Sequence, residues 1–366
     1  LFKDLEPLVS DPKTLATATY NDVKPIIGEN PFRDTEDELV KQYNSELYAP
    51  QIIFLGLDER KGKEGFVYKE HYKGQPWFAV DVTPKSHVKE EAEKLIANMK
   101  AKGLDFSKGR MNLSLPAQDG MSPTSPNRTH TYTYIAAIYA EARHLLDWNA
   151  RNPFCASCGY PTLSINAGFK RTCPPKDIAP SVKHADGARP PCATRTGISN
   201  LCFPRTDPTV IMAVVSADGQ RILLGRQKRW PQYWYSTLAG FLEPAESVEE
   251  AVRREVWEES GIYLGRVVIH STQPWPFPAN LMIGAIGQAI PGGENVHLGH
   301  DAELEDAKWF TSEEVREALR VGTSGLGEDA GPEYKEGGLR LPPQTAIAHQ
   351  LMTAVVNGFA SGAPMI

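Results

Sequence analysis

The chain has 366 residues, 41% of them hydrophobic and 23% charged, with a formal net charge of −6. That length allows two or three domains with real cores, and the balance is ordinary for a globular protein. The acidic excess argues against a broad nucleic-acid-binding face. No apolar run approaches the ~20 residues that cross a bilayer, so no membrane partner is expected. Asn112-Leu113-Ser114 and Asn127-Arg128-Thr129 fit the N-glycosylation pattern. With no secretory leader in the residues read they count as chance matches, and an intracellular setting, cytoplasmic or peroxisomal, is expected.

Residues 1–150 read as an N-terminal domain of mixed α/β character. Strands are expected over 51–57 and 77–82, split by a Lys- and Gly-rich turn region. An amphipathic helix over 86–102 turns Val88, Ala92, Leu95, Ile96 and Met99 inward. A Pro/Ser/Asn-rich loop over 121–129 precedes a second helix near 135–150. No catalytic constellation stands out in this part.

Residues 151–205 hold all five cysteines. Cys155-Ala156-Ser157-Cys158-Gly159 is a tight turn that can present two thiolates to one metal, and Cys173, Cys192 and Cys202 follow. Paired cysteines closing on a second pair is the logic of a tetrahedral structural Zn2+ site. Buried free thiols or a redox pair are the competing reading. A Pro- and Gly-rich composition, too poor in apolar residues for a core, favours zinc. Cys155, Cys158 and Cys173 are three expected ligands, and Cys192 is the preferred fourth. Cys202 is an open alternative and His184 a more distant one. The stretch 174–191, with five prolines, reads as an insertion.

Residues 206–362 read as one α/β domain. Strands over 208–216 and 221–226 form a hairpin around Asp218-Gly219. Further strands are expected over 266–271 and 281–289, a long surface loop over 322–338 and a last helix near 344–357. Between the hairpin and these strands, residues 240–262 carry seven carboxylates, five of them in one helix. Ser247 with Glu250 three residues on is a capping box, and Gly261 is the C-terminal stop. A turn of about 100° per residue places Val248, Ala251 and Val252 on one stripe, which Glu255 and Glu259 continue with Glu258 beside them. Buried like charges repel and cost several kcal/mol each in lost hydration, unless something positive meets them. A hard divalent cation is the natural counter-charge, and a solvated face paired with Arg254 is the bland alternative.

Gly240, Glu246, Arg254-Glu255-Val256, Glu258-Glu259 and Gly261-Ile262 fit the Nudix box at every defined position, so the chain resembles a Nudix hydrolase. The resemblance implies a loop-helix-loop that holds Mg2+ or Mn2+ against a diphosphate. Downstream stands Thr272-Gln273-Pro274-Trp275-Pro276-Phe277-Pro278-Ala279-Asn280. Three prolines alternating with two aromatics make a stiff strip with little ordering entropy left to lose. On composition it reads as a rigid connector, but it is similar to the array that marks the NADH pyrophosphatase branch, which also carries a zinc ribbon. Thr272 and Asn280 stand where that array has Ser.

The resemblance implies an α/β (α+β) fold: a Nudix-type mixed-sheet sandwich preceded by a zinc ribbon and the N-terminal mixed α/β domain. It assigns catalysis to Glu259, Glu258 and Glu255, with Glu259 as the preferred base. It gives Mg2+ or Mn2+ to the carbonyl of Ala239 and to Glu255, Glu259 and Glu303. For Glu303 a plain surface acid among Asp301, Glu305 and Asp306 is an equal reading. It assigns substrate contact to Phe241, Gln273, Pro274, Trp275, Pro276, Phe277, Pro278, Ala279, Asn280 and Ala348. The implied reaction splits NADH or NAD into AMP and nicotinamide mononucleotide, with NAD-capped RNA 5′ ends a further substrate and a homodimer the expected assembly. The rival readings are a hydrolase of another diphosphate such as ADP-ribose, and a zinc-ribbon nucleic-acid-binding protein whose Nudix domain is not catalytic.

Overall fold

A run of apolar residues from Val210 to Val215, every one of them buried, defines the centre of the larger sheet. In the computed structural model, residues 1–11, 14–59, 65–107, 129–182, 187–197, 199–275 and 279–359 are described. The chain divides into two compact units, one carrying the described residues up to Arg205 and the other those from Thr206 onward.

In the first unit β1 (Phe2–Lys3), β2 (Glu6–Asp11), β3 (Thr14–Leu15) and β7 (Asp105–Phe106) form one small sheet. A second contains β4 (Ile52–Asp58), β5 (Phe66–Tyr68) and β6 (Tyr72–Val80) in the order β4-β6-β5. The helices are α1 (Tyr20–Ile27), α2 (Glu36–Lys41), α3 (Lys89–Ala101) and α4 (Thr129–Arg151). Val88 is buried in a 3-10 turn over Ser86–Val88, and α3 buries Ala92, Leu95 and Met99 against Leu8, Val80 and Val82, as the periodicity requires. Two-residue strands such as β1 and β3 are too short to show a period.

The cysteine segment adds one hairpin, β8 (Leu163–Ile165) and β9 (Lys170–Thr172). The described residues of the stretch 174–191 are tied to the rest of the unit. Asp177 and Arg189 form a buried ion pair at 2.5 Å, and the guanidinium lies 5.2 Å from the ring centres of Tyr43 and Tyr160. The N–H of Ile178 donates to the Tyr43 carbonyl at 2.9 Å, and that of Ser45 to the Asp177 carboxylate at 3.0 Å. Two charges so far from water are tolerated only because these contacts satisfy them, and in return they fix the segment against residues 43–46.

The second unit is a six-stranded mixed sheet, β13-β14-β10-β11-β15 with β12 on β10. Its strands are β10 (Asp207–Val215), β11 (Arg221–Arg226), β12 (Leu238–Phe241), β13 (Leu264–Trp275), β14 (Asn280–Ala289) and β15 (Asp306–Thr311). β10 and β14 run parallel and the other pairs antiparallel. Because successive side chains on β10 point to opposite faces, Val210, Met212 and Val214 pack under α5 (Val248–Ser260). Ile211, Ala213 and Val215 pack under α6 (Ser312–Val321) and α7 (Ile347–Val356). A strand buried on both faces reads as an unbroken apolar run, and that is why its sequence does not alternate.

The expected strands over 266–271 and 281–289 prove longer. β13 runs on to Trp275, which pairs with Asn280, so residues 272–275 of the proline-aromatic strip are paired strand. Pro274 is tolerated there because β13 is an edge strand. Among the described residues no helix is long and apolar enough to cross a membrane.

Candidate active site and metal centre

The capping box of α5 forms as expected. The Ser247 hydroxyl accepts from the Glu250 N–H at 3.3 Å, the Glu250 carboxylate accepts from the Ser247 N–H at 3.0 Å, and Gly261 closes the helix with φ 71°. Ala251, Val252 and Val256 are fully buried. Removing two valines from water contributes about 1.5–3 kcal/mol each, enough to hold the helix down despite its acids.

The carboxylates then separate into two kinds. Arg254 donates to both Glu246 oxygens at 2.8 and 2.9 Å, to Glu255 and Glu258 at 2.9 Å, and to the Phe241 carbonyl at 2.8 Å. The bland arginine-paired reading therefore holds for Glu246, Glu255 and Glu258. It fails for Glu259, which is 5% exposed and whose Oε2 has no hydrogen-bond partner. Burial, reinforced by the charges of Glu255, Glu303, Asp301 and Glu258, pushes the Glu259 carboxyl up to about 9. Burial also raises Glu255, with Arg254 opposing it. An orphaned, buried carboxylate oxygen facing other acids is a donor set that suits a hard divalent cation.

Gly240 on β12 explains how Glu255 reaches this place. A Cβ at residue 240 would stand 1.9–2.2 Å from the Glu255 carboxylate, so any larger residue there would push that carboxylate away. Gly240→Ala should lower turnover at least ~10-fold by displacing that carboxylate while the sheet still forms, because a misplaced group costs rate even where the fold survives. Rates and thermal melts on the purified variant check this, and unchanged turnover would remove Glu255 from the site. Ala239 precedes Gly240 on the same strand, opposite Ile211. Glu303 is exposed just before β15, close enough for its charge to raise both Glu255 and Glu259.

The expected substrate contacts fare unevenly. Phe241 is 54% exposed at the end of β12, and Pro274 and Trp275 are exposed at the end of β13. Pro276, Phe277 and Pro278 lie outside the described residues, as does His184. The Gln273 amide is not free to meet a ligand with both ends. Its Nε2 donates to the Thr345 carbonyl at 2.8 Å and its Oε1 accepts from the Ile347 N–H at 2.9 Å, so it holds the first turn of α7. Ala279 and Asn280 are buried, with the Asn280 amide donating to the Thr209 hydroxyl at 2.7 Å. Ala348 is packed inside the core under the sheet. All three are buried.

In the first unit the sulfurs of Cys155, Cys158, Cys173 and Cys192 all lie within 4.8 Å of one another. Cys155 and Cys192 are 3.6 Å apart, and Cys158 and Cys173 3.5 Å. A tetrahedron of ~2.3 Å Zn–S bonds has edges of about 3.8 Å, so the quartet fits such an ion. Cys202 is buried outside this group, 4.0 Å from the Ser199 hydroxyl. Burial opposes ionisation of Cys192, but the Thr194 hydroxyl and N–H outweigh it and hold the thiol at about 6. Arg195 reaches the Cys173 sulfur at 3.3 Å and its carbonyl at 2.9 Å, bringing positive charge to a group that collects negative charge.

The NUDIX domain model matches residues 205–326. The chain is 35% identical to the NAD-capped RNA hydrolase NUDT12 of Macaca fascicularis over 96% of its own length, and spans 65% of that relative. It is 33% identical to the NAD-capped RNA hydrolase of Schizosaccharomyces pombe, covering 96% of this chain and 83% of that one. Against the mitochondrial NAD(P)H pyrophosphatase NUDT13 of Mus musculus it is 33% identical over 81% of this chain and 73% of the other. The chain belongs to the Nudix hydrolase family, in the branch that contains the NAD-capped RNA hydrolases and NADH pyrophosphatases.

Proposed function

We propose that the protein hydrolyses the diphosphate bond of NADH or NAD, giving AMP and nicotinamide mononucleotide, and that the same reaction removes NAD caps from RNA. The observation that carries this reading is the buried, unpartnered carboxylate of Glu259 on the box helix, one turn from Glu255. Glu255, Glu259, Glu303 and the Ala239 carbonyl would hold Mg2+ or Mn2+, which when bound neutralises phosphate oxygens and makes water more acidic. Glu259, ionised once a cation offsets its burial and its acidic neighbours, would accept the proton of the attacking water. The water oxygen then bonds to phosphorus as the bridging P–O bond breaks, leaving one phosphate on each product. Glu258 is the weaker base, since its carboxylate is already paired with Arg254. Arg254 itself has its donors committed to the acids and to Phe241, so it orients the loop rather than the diphosphate.

Phe241 and Trp275 offer exposed ring faces for a base or the nicotinamide. The cysteine quartet supports a structural Zn2+ with no open position for water. A homodimer and the three-part division at 150 and 205 belong to the same reading. The test is product analysis with NADH, NAD, ADP-ribose and NAD-capped RNA side by side. A second ring surface supplies remote binding energy that ADP-ribose, which has no nicotinamide, cannot draw on, so kcat/KM for NADH or NAD should exceed that for ADP-ribose at least ~10-fold. Equal efficiencies would demote the protein to a general diphosphate hydrolase.

A further inference from the structure

The 16 residues between β14 and β15 bring Asp301 and Glu303 to the acidic face of α5, yet few of them are buried. Leu304 is one anchor, since its side chain is buried against Gly225 on the far side of Glu303. A second anchor lies at the end of α5. The last four carbonyls of a helix have no partner within it, and here the loop supplies two. His297 N–H donates to the Ser260 carbonyl at 2.8 Å, and Asp301 N–H to the Glu258 carbonyl at 3.1 Å. The rings of Trp257 and His300 stack at 4.1 Å and 21°, and His297 meets His300 edge-on at 4.7 Å. Gly261 leaves room for this, because a Cβ there would stand 2.8 Å from that of His297.

The geometry points to the Trp257–His300 stack as the fastening that holds this loop on α5 and so presents Glu303 to the carboxylate site. Trp257 and His300 are positioning residues: they act through Glu303 and touch neither metal nor substrate. The inference rests on the reading of Glu303 as a ligand. Leu304 fixes one side of Glu303, and the stack together with the two backbone hydrogen bonds fixes the other, so without the stack only those two bonds restrain the acid from swinging into solvent. Residues that orient a ligand from behind typically govern metal affinity by 10–100-fold.

The test is Mn2+ binding to the whole chain without substrate, followed by electron paramagnetic resonance, beside melts of the metal-free protein. His300→Ala should weaken Mn2+ binding about 10-fold, and His300→Phe, which keeps a stacking ring, should restore it to within about 3-fold. Trp257→Phe serves as the milder second variant if His300→Ala folds poorly. Glu303→Gln should weaken binding similarly, and the double variant His300→Ala/Glu303→Gln should lose no more than Glu303→Gln alone. Unchanged binding in His300→Ala, or additive losses in the double variant, overturns the fastening while leaving Glu303 a ligand. Unchanged binding in Glu303→Gln overturns the underlying reading, and the inference falls with it.

Discussion

Glu259→Gln is expected to cut turnover of NADH at least ~100-fold, the scale of losing a catalytic base, and to make the metal-free protein more stable near neutral pH. The second effect follows from the raised carboxyl. Its folded-state pKa of about 9 stands above the ordinary 4.5. Below the lower value folded and unfolded chains both hold the proton, and nothing is lost. As pH rises between the two values the unfolded chain releases its proton while the folded chain keeps it, so stability falls. Above about 9 the folded carboxyl ionises too, and the cost is complete. Glutamine has no such dependence. The melting temperature of the variant should therefore pull ahead of wild type as pH rises from 5 to 9, about the window set by the shift. Added Mg2+ should narrow that gap by stabilising only the wild type. A gap that stays flat across this window, or full turnover by the variant in saturating Mg2+, would remove Glu259 from its role.

What the sequence made legible is what is local. Ser247, Glu250 and Gly261 define α5 within one helix length, and the run from Val210 to Val215 announces a strand buried on both sides. The cysteine spacing indicated a metal site, but the choice of Cys192 over Cys202 depends on how two turns fold back, which spacing alone leaves open. Long-range partners were out of reach. Gln273 is satisfied by backbone groups 72 and 74 residues away, and nothing near it announces that its amide is taken. The packing of Asn280 and Ala348 was out of reach for a related reason: a family pattern transfers a position, while the surroundings of a side chain are set by the fold. The Trp257–His300 stack joins a helix to a loop with no periodic signal. Arg254 was visible as a partner for acids, but not that it would serve Glu246, Glu255 and Glu258 and leave Glu259 alone.

Elemental analysis should find one tightly held zinc per chain, lost in Cys192→Ser and kept in Cys202→Ser. The reason for a large effect is how little else holds this segment together. The cluster at its centre consists of the four cysteines themselves, and β8 and β9 have three residues each. A lone two-stranded hairpin is marginal at best in water, whereas a structural Zn2+ contributes about 10–16 kcal/mol in small domains of this kind. Removing the ion also leaves Arg195 beside sulfurs that can take protons again, so its attraction weakens. The buried Asp177–Arg189 pair should outlast this loss, because Tyr43 and Ser45 hold it from outside the cysteine turns. Chelation should therefore expose residues 152–173 and 192–204 to protease before the stretch around Asp177. Wild-type protein without zinc, or zinc lost only in Cys202→Ser, would show that the quartet is not the binding site. Cleavage that begins at Asp177 would show that the ion pair depends on the metal.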